Sequence, residues 1–432
     1  MVSLNKQAEL LNKDIRGANS AVFDLFTEKG KAIFFPHQGV LGQTAEAKGK
    51  KLNATIGMAY EDDGSIMALD TLINKIKLDK NSVFPYASSF GKQELRKEWQ
   101  SQILKKNPSL EEKNFSLPVV TNAVTHGLSI VGYLFADPET EIIIPEPAWD
   151  NYELVFTITY GAKISHFPLF RNNGFNLKGL KEQLNRRSFK KILLLNFPNN
   201  PTGYTPNQEE VNQIGEIIND FSKKNRLIVI CDDAYFGLVY EKGIFRESIF
   251  SKLCCLSPNV LAMKVDGVTK EDYAWGLRIG FVTFGVKNGK EKLYSALEDK
   301  AAGAVRATIS NASNLSQSLI LQALLAKEYE AEKEKKRTTL QKRYETVKDI
   351  LSKNQQYKKY FQALPYNSGY FLCLKLSGSL KAEQIRQHLL EKYDAGLIVV
   401  DNLLRVAYSS LTKEKLEELF NNIYLACGDI KS

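Results

Sequence analysis

The strongest constraint in the 432-residue sequence is an alternation running from about residue 115 to residue 310. Seven short apolar runs (LPVVTN, EIIIPEP, AKISHFPL, KKILLLNFP, RLIVICDDAYF, VLAMKVDG and GFVTFG) are separated by stretches of helical periodicity such as NQEEVNQIGEIINDFSKK. Strand–helix–strand alternation sets successive strands parallel, with helices on both faces of one sheet. The runs are nearly continuous, as expected of strands buried on both sides. The chain is therefore read as α/β, with a large domain over residues 68–315 built on a mostly parallel seven-stranded sheet flanked by helices. A long helical pattern follows from about 312 to 353, and then the shorter runs YFLCLKL, GLIVVDN and LLRVAYS. Residues 316–432, joined by 31–67, are expected to form a smaller α+β domain. Residues 1–30 read as an N-terminal helical arm.

Composition narrows the function classes. Apolar content of 44% and charged content of 25% are ordinary for a soluble globular chain. No apolar stretch approaches the roughly 18 residues needed to span a bilayer, so no membrane partner is expected. The opening MVSLNKQAELLNKDIRG lacks an apolar core and carries Glu9 and Asp14, unlike a secretory or transit signal. Five scattered cysteines (Cys231, Cys254, Cys255, Cys373 and Cys427) show no metal-ligand spacing, which points to reduced thiols in the cytoplasm and to no metal site. The net charge of +9 is spread along the chain, and its densest run, at 327–345, interleaves acids with bases. It reads as a solvated helix face, with no nucleic-acid partner expected.

Ligands of open α/β sheets sit beyond the carboxyl ends of the strands. Candidate residues cluster there. After KKILLLN comes the turn FPNNPTG, whose prolines and Gly203 build the turn but leave Asn200 without a structural reason. RLIVICDDAY ends in two carboxylates, Asp232 and Asp233. Side chains alternate along a strand, so only one of them can face a given site. VTKEDYAWGLRIG places Lys270 after a strand and Arg278 eight residues later. A neutral lysine attacks carbonyls, whereas an arginine suits a phosphate or carboxylate.

NNPTG, then Asp-x-Ala-Tyr, then a lysine followed by Gly-x-Arg-x-Gly, in this order and spacing, resembles the fold type I, pyridoxal-phosphate-dependent class I aminotransferases. The branch it is most similar to is that of the aspartate aminotransferases. The resemblance covers the chain from about residue 30 to its end. It implies the cofactor pyridoxal 5'-phosphate, with Lys270 as its covalent anchor and Arg278 as the ligand of its phosphate. Asp232, selected by its spacing to Tyr235, matches the acid beside the pyridine nitrogen, and Tyr235 and Asn200 match the pair at the ring's phenolic oxygen. Ala123, Val124 and Thr125 match a phosphate cup of backbone amides at a helix start, and Thr269 matches a phosphate-binding hydroxyl. Trp149 matches an aromatic stacked on the ring, and Tyr86 a tyrosine that reaches the neighbouring subunit's phosphate, implying a homodimer with shared sites. Arg405 matches the arginine that grips the substrate α-carboxylate, with the backbone of Gly57 beside it. Arg306 matches an arginine, donated across the dimer, for a distal carboxylate. The family usually has hydroxyl residues three and one positions before the lysine; here these are Gly267 and Thr269.

The implied activity is transamination between an L-amino acid and a 2-oxo acid, with a dicarboxylate preference if Arg306 enters the site. A C–S β-lyase or decarboxylase on the same fold, an aromatic or broad-specificity aminotransferase, and a non-catalytic regulator are the alternatives, because the motifs serve the cofactor more than the outcome.

Overall fold

The computed structural model describes residues 4–35, 39–76 and 78–431. Residues 1–3 of the arm and 36–38 of the following segment lie outside the described residues. The seven apolar runs form one sheet: β1 (Val119–Thr121), β2 (Thr140–Glu146), β3 (Lys163–Pro168), β4 (Lys190–Asn196), β5 (Leu227–Asp232), β6 (Val260–Gly267) and β7 (Gly280–Gly285). Their order is β1-β7-β6-β5-β4-β2-β3. β3, β2, β4, β5 and β6 pair in parallel. β7 is antiparallel to both β6 and β1. Its first residue, Gly280, therefore sits opposite Gly267 and Thr121, at the same sheet edge where the other strands end.

Six strands are buried on both faces, their side chains alternating between two core layers, whereas the edge strand β3 is mostly exposed because nothing pairs beyond it. Leu193, Leu195, Val229 and Cys231 pack into one core layer, while Ile192, Leu194, Ile230 and Met263 pack into the other. The helix Gln208–Ser222 between β4 and β5 begins with a capping box of Asn207 and Glu210, which satisfies two otherwise orphaned amides.

A second sheet holds β8 (Phe361–Ala363), β9 (Phe371–Leu376), β10 (Ile398–Val400) and β11 (Leu403–Ala407) in the order β8-β9-β11-β10, antiparallel throughout. Leu52–Asn53 pairs in parallel with Ala395–Gly396, tying the early segment to this unit. The pattern read as one helix over 312–353 is two, Asn314–Leu324 and Tyr329–Lys353. No glycine or proline marks the break. It lies where the chain turns to bury Tyr329, whose hydroxyl donates to Asp272. Among the described residues no helix is long and apolar enough to cross a membrane.

Candidate active site

The turn after β1 starts the helix Ala123–Phe135 with Ala123 in the left-handed region (φ 63°). β7 crosses directly behind it: a Cβ on Gly280 would lie 2.6 Å from the Ala123 carbonyl carbon. Val124 and Thr125, in the first turn of this helix, line the cavity, and amides in a first helical turn have no intrahelical partner. Thr269 Oγ1 is buried with no hydrogen-bond partner among the described residues. The missing hydroxyl at Gly267 has a steric reason, since a Cβ there would meet the Ile279 carbonyl oxygen at 2.6 Å.

The two carboxylates separate as strand alternation requires. Asp233 turns to one face and is bound by Lys264 (2.5 Å) and Ser248 Oγ (2.5 Å); Asp266 completes the lysine's shell at 3.0 Å. Burial pushes Asp233 up to about 6 against the pull of Lys264, and its two carboxylates hold Lys264 above the usual lysine value. Asp232 turns to the other face. Tyr152 donates to its Oδ2 at 2.6 Å and the Ala234 amide to its Oδ1 at 3.1 Å. Burial raises Asp232, and these two hydrogen bonds oppose that rise. Burial and the carboxylate beside it raise Tyr152, so its phenol stays a donor.

Lys270 follows β6 in the short turn Val268–Glu271, which Tyr370 pins by donating to the Lys270 carbonyl at 2.8 Å. Its Nζ lies 5.3 Å from the centre of the Tyr235 ring. Burial, helped by the nearby Arg278 charge, lowers its pKa to about 8, with Asp232 pulling the other way. Arg278 is left-handed (φ 53°) and exposed, and it is not among the residues that line the cavity.

The second sheet closes the cavity. Arg405, in the middle of β11, is buried; it donates to Asn200 Oδ1 at 3.3 Å and to the Thr55 carbonyl at 2.9 Å, and lies over the Phe371 ring at 4.3 Å. Its Nε has no partner, and it makes no ion pair among the described residues. The NNPTG turn explains itself in part: Asn196 Oδ1 accepts the Asn200 amide, and Asn199 Oδ1 accepts Thr202. Among the described residues the Asn200 side chain serves no bond within the turn and instead accepts from Arg405. The result is one cavity of about 270 Å³ that brings together Gly57, Val124, Thr125, Trp149, Asn200, Asp232, Tyr235, Lys270 and Arg405. Tyr86 is 93% exposed, and neither it nor Arg306 lines this cavity. Arg306, at the end of the helix Glu291–Ile309, is exposed and donates to Ser310 Oγ at 2.7 Å.

The model of the family described as aminotransferase class I and II matches residues 51–423. The chain belongs to this family. Members of the class are pyridoxal-phosphate-dependent transaminases. Among its relatives, a probable aspartate/prephenate aminotransferase of Aquifex aeolicus is 26% identical over 359 residues, 80% of this chain and 84% of the relative. An aspartate aminotransferase of Musicola paradisiaca is 29% identical over 220 residues, and a probable aspartate aminotransferase of Methanocaldococcus jannaschii is 27% identical over 208. These last two matches take in 47% and 48% of this chain and span about half the relatives' lengths, 52% and 50%. The fold is shared with an aminotransferase from Anaerococcus prevotii (TM-score 0.82, 22% identity, 93% of this chain and 98% of that one). It is also shared with an aromatic aminotransferase from Pyrococcus horikoshii (TM-score 0.73, 18% identity, 91% and 100%).

The residues present fit the family's cofactor. An orphaned buried hydroxyl at Thr269, free amides at a helix start, a lysine of lowered pKa and a buried carboxylate held as an acceptor are the donor set that a phosphorylated pyridine aldehyde requires. Tyr152, Phe371 and Thr55 shape the site and went unnoticed in the sequence. Tyr152 lies three residues after Trp149 in EPAWDNY, yet nothing local says which hydroxyl a buried carboxylate will recruit.

Proposed function

We propose that the chain is a pyridoxal-phosphate-dependent transaminase exchanging an amino group between an L-amino acid and a 2-oxo acid. One observation carries this reading: a single cavity holds an amine of lowered pKa, a buried carboxylate and a buried arginine that lacks a carboxylate partner. When bound, the cofactor supplies an electron sink for breaking a Cα–H bond. Lys270 would hold it covalently, with Asp232 at its ring nitrogen, Asn200 and Tyr235 at its phenolic oxygen and Trp149 on its ring face. Ala123, Val124, Thr125, Thr269 and Arg278 would hold its phosphate. Arg405 takes the substrate α-carboxylate, for which a guanidinium with an unpaired Nε is a ready fork. Lys270 Nζ, once free, takes the proton from the substrate Cα and returns it later in the exchange. The test is to mix holoenzyme with each L-amino acid in turn, following the cofactor's absorbance and the 2-oxo acid released. Stoichiometric 2-oxo acid with a converted spectrum is expected. Release of ammonia with pyruvate, or of carbon dioxide, would instead make it a lyase or a decarboxylase.

The working form is read as a cytoplasmic homodimer with shared sites. The five free thiols suit a reducing compartment, and Phe84 and Tyr86 are 83% and 93% exposed on one chain. Pairing a Lys270→Ala chain with a Tyr86→Phe, Arg306→Ala chain is expected to restore one intact site per heterodimer. Activity no higher than that of the two parents would argue that the sites are not shared.

Arg306 meets a substrate only when a second copy presents it, so a preference for aspartate or glutamate with 2-oxoglutarate depends on the dimer. Arg306→Ala is then expected to lower kcat/KM for dicarboxylates by roughly 3–5 kcal/mol, the cost of breaking a buried pair, and to leave tyrosine turnover unchanged. Equal turnover of aspartate and tyrosine in both proteins would indicate aromatic or broad specificity.

A further inference from the structure

A second pocket lies behind the turn that carries Lys270. Its volume, about 250 Å³, is close to that of the candidate active site, and Phe236, Leu238 and Val239 give it an apolar floor. Four cations and three carboxylates line it, and most of these charges are committed. Lys106 and Lys333 both hold Glu271 (3.0 and 3.1 Å), and Lys333 also holds Asp272 at 2.9 Å. Arg337 grips both oxygens of Glu334, and Glu330 binds Lys105 at 2.7 Å. Arg246 is the remaining lining cation, and it makes no ion pair among the described residues. Glu334 is near enough to feel its charge but is held by Arg337. The lining thus carries one net positive charge, one uncommitted guanidinium and an apolar floor.

We propose that this pocket is a second ligand site, for a small monocarboxylate with an apolar body, its carboxylate on Arg246 and its body on Phe236, Leu238 and Val239. A guanidinium pairs with a carboxylate through two parallel hydrogen bonds, and the burial of an apolar body supplies the rest of the affinity. The site has a physical route to the chemistry. Glu271 directly follows Lys270, and the two wall lysines hold its carboxylate. A carboxylate held on Arg246 adds a negative charge to the wall where Lys106 and Lys333 hold Glu271, weakens their grip on that carboxylate and so shifts the turn beneath Lys270. Lys333 sits on the helix Tyr329–Lys353, whose first residue binds Asp272, so the same anion alters how that helix grips the turn.

The experiment is equilibrium dialysis of the full-length holoenzyme with 3-phenylpropanoate. Arg405 also takes carboxylates, so two sites per chain are expected: one lost in Arg405→Ala, the other weakened at least tenfold in Arg246→Glu and kept in Arg246→Lys. Arg246 is exposed and outside the active site, so Arg246→Glu is expected to leave the cofactor absorbance and the uninhibited kcat unchanged. Inhibition by the probe should contain a noncompetitive component that vanishes in the same variant. A single site per chain, lost in Arg405→Ala and indifferent to Arg246→Glu, overturns the proposal. The count of sites does not depend on which reaction the active site performs, so failure of the transaminase reading is a separate result.

Discussion

Replacing Lys270 with methionine is expected to abolish turnover and, in the same protein, to stabilise the cofactor-free chain. On the proposed mechanism Lys270 is both the covalent anchor and the proton carrier, so its loss should lower kcat by ~10⁴-fold. The stability effect has the opposite sign because Lys270 is a buried amine whose pKa has been lowered from 10.5 to about 8. Below pH 8 it is charged both folded and unfolded, and the folded chain bears the full cost of burying that charge, at most about 3 kcal/mol. Between pH 8 and 10.5 the unfolded chain still binds the proton and the folded chain does not, so wild-type stability rises through this window. Lys270→Met should therefore be more stable than wild type at pH 7, by ~1–3 kcal/mol, and lose that advantage toward pH 10. Urea unfolding of the cofactor-free proteins at the two pH values measures this. Covalent capture of added cofactor by the stripped wild-type chain should likewise accelerate as pH rises through about 8, because only the neutral amine attacks. Borohydride should then fix the label on Lys270. A label on Lys264 would sink the assignment, but that lysine is enclosed with two carboxylates that keep it charged.

The large sheet was legible because six of its seven strands are largely apolar runs buried on both sides, whose two-sided core leaves little freedom in how they stack, while the polar edge strand β3 (KISHFP) was placed by the alternation alone. The gathering of polar residues at the strand ends was legible for a related reason: the parallel order puts the residues after β4, β5 and β6 at one edge, so a linear list of strand-terminal polar residues is already a list of neighbours. What the sequence withheld is contact between distant segments. Tyr152 and Asp232 are 80 positions apart and meet at 2.6 Å, and Arg405 finds the Thr55 carbonyl across 350. The break before Tyr329 was invisible for the same reason, since the partner that fixes it, Asp272, lies in another part of the chain. Tyr86 and Arg306 differ in kind: on one chain both are surface residues, and the roles proposed for them would need a second chain.

Asp232→Asn and Asp233→Asn are expected to fail in different ways, although the residues are adjacent and both buried. Asp232 faces the cavity and makes no ion pair among the described residues; its side chain accepts from a phenol and an amide. An asparagine there keeps an oxygen for Tyr152, so the fold should tolerate it. What disappears is the negative charge that the proposed mechanism places beside the cofactor's ring nitrogen, and the rate of Cα–H cleavage should fall on the order of 10²–10³-fold, the scale of one aligned electrostatic partner. Asp233 faces the opposite core layer and neutralises Lys264, which is fully buried. Asp233→Asn leaves that ammonium with Asp266 alone, an acid that also accepts the Trp99 indole at 3.2 Å. The expected cost is about 3 kcal/mol of folding stability, the low end for a broken buried pair, with the per-site rate of the folded fraction little changed. Denaturant unfolding and single-turnover deuterium exchange at Cα, measured on both variants, separate the two outcomes. If the rate collapses in Asp233→Asn and the stability in Asp232→Asn, then β5 presents its side chains one residue out of register with the alternation that places Ile230 and Asp232 on one face and Cys231 and Asp233 on the other.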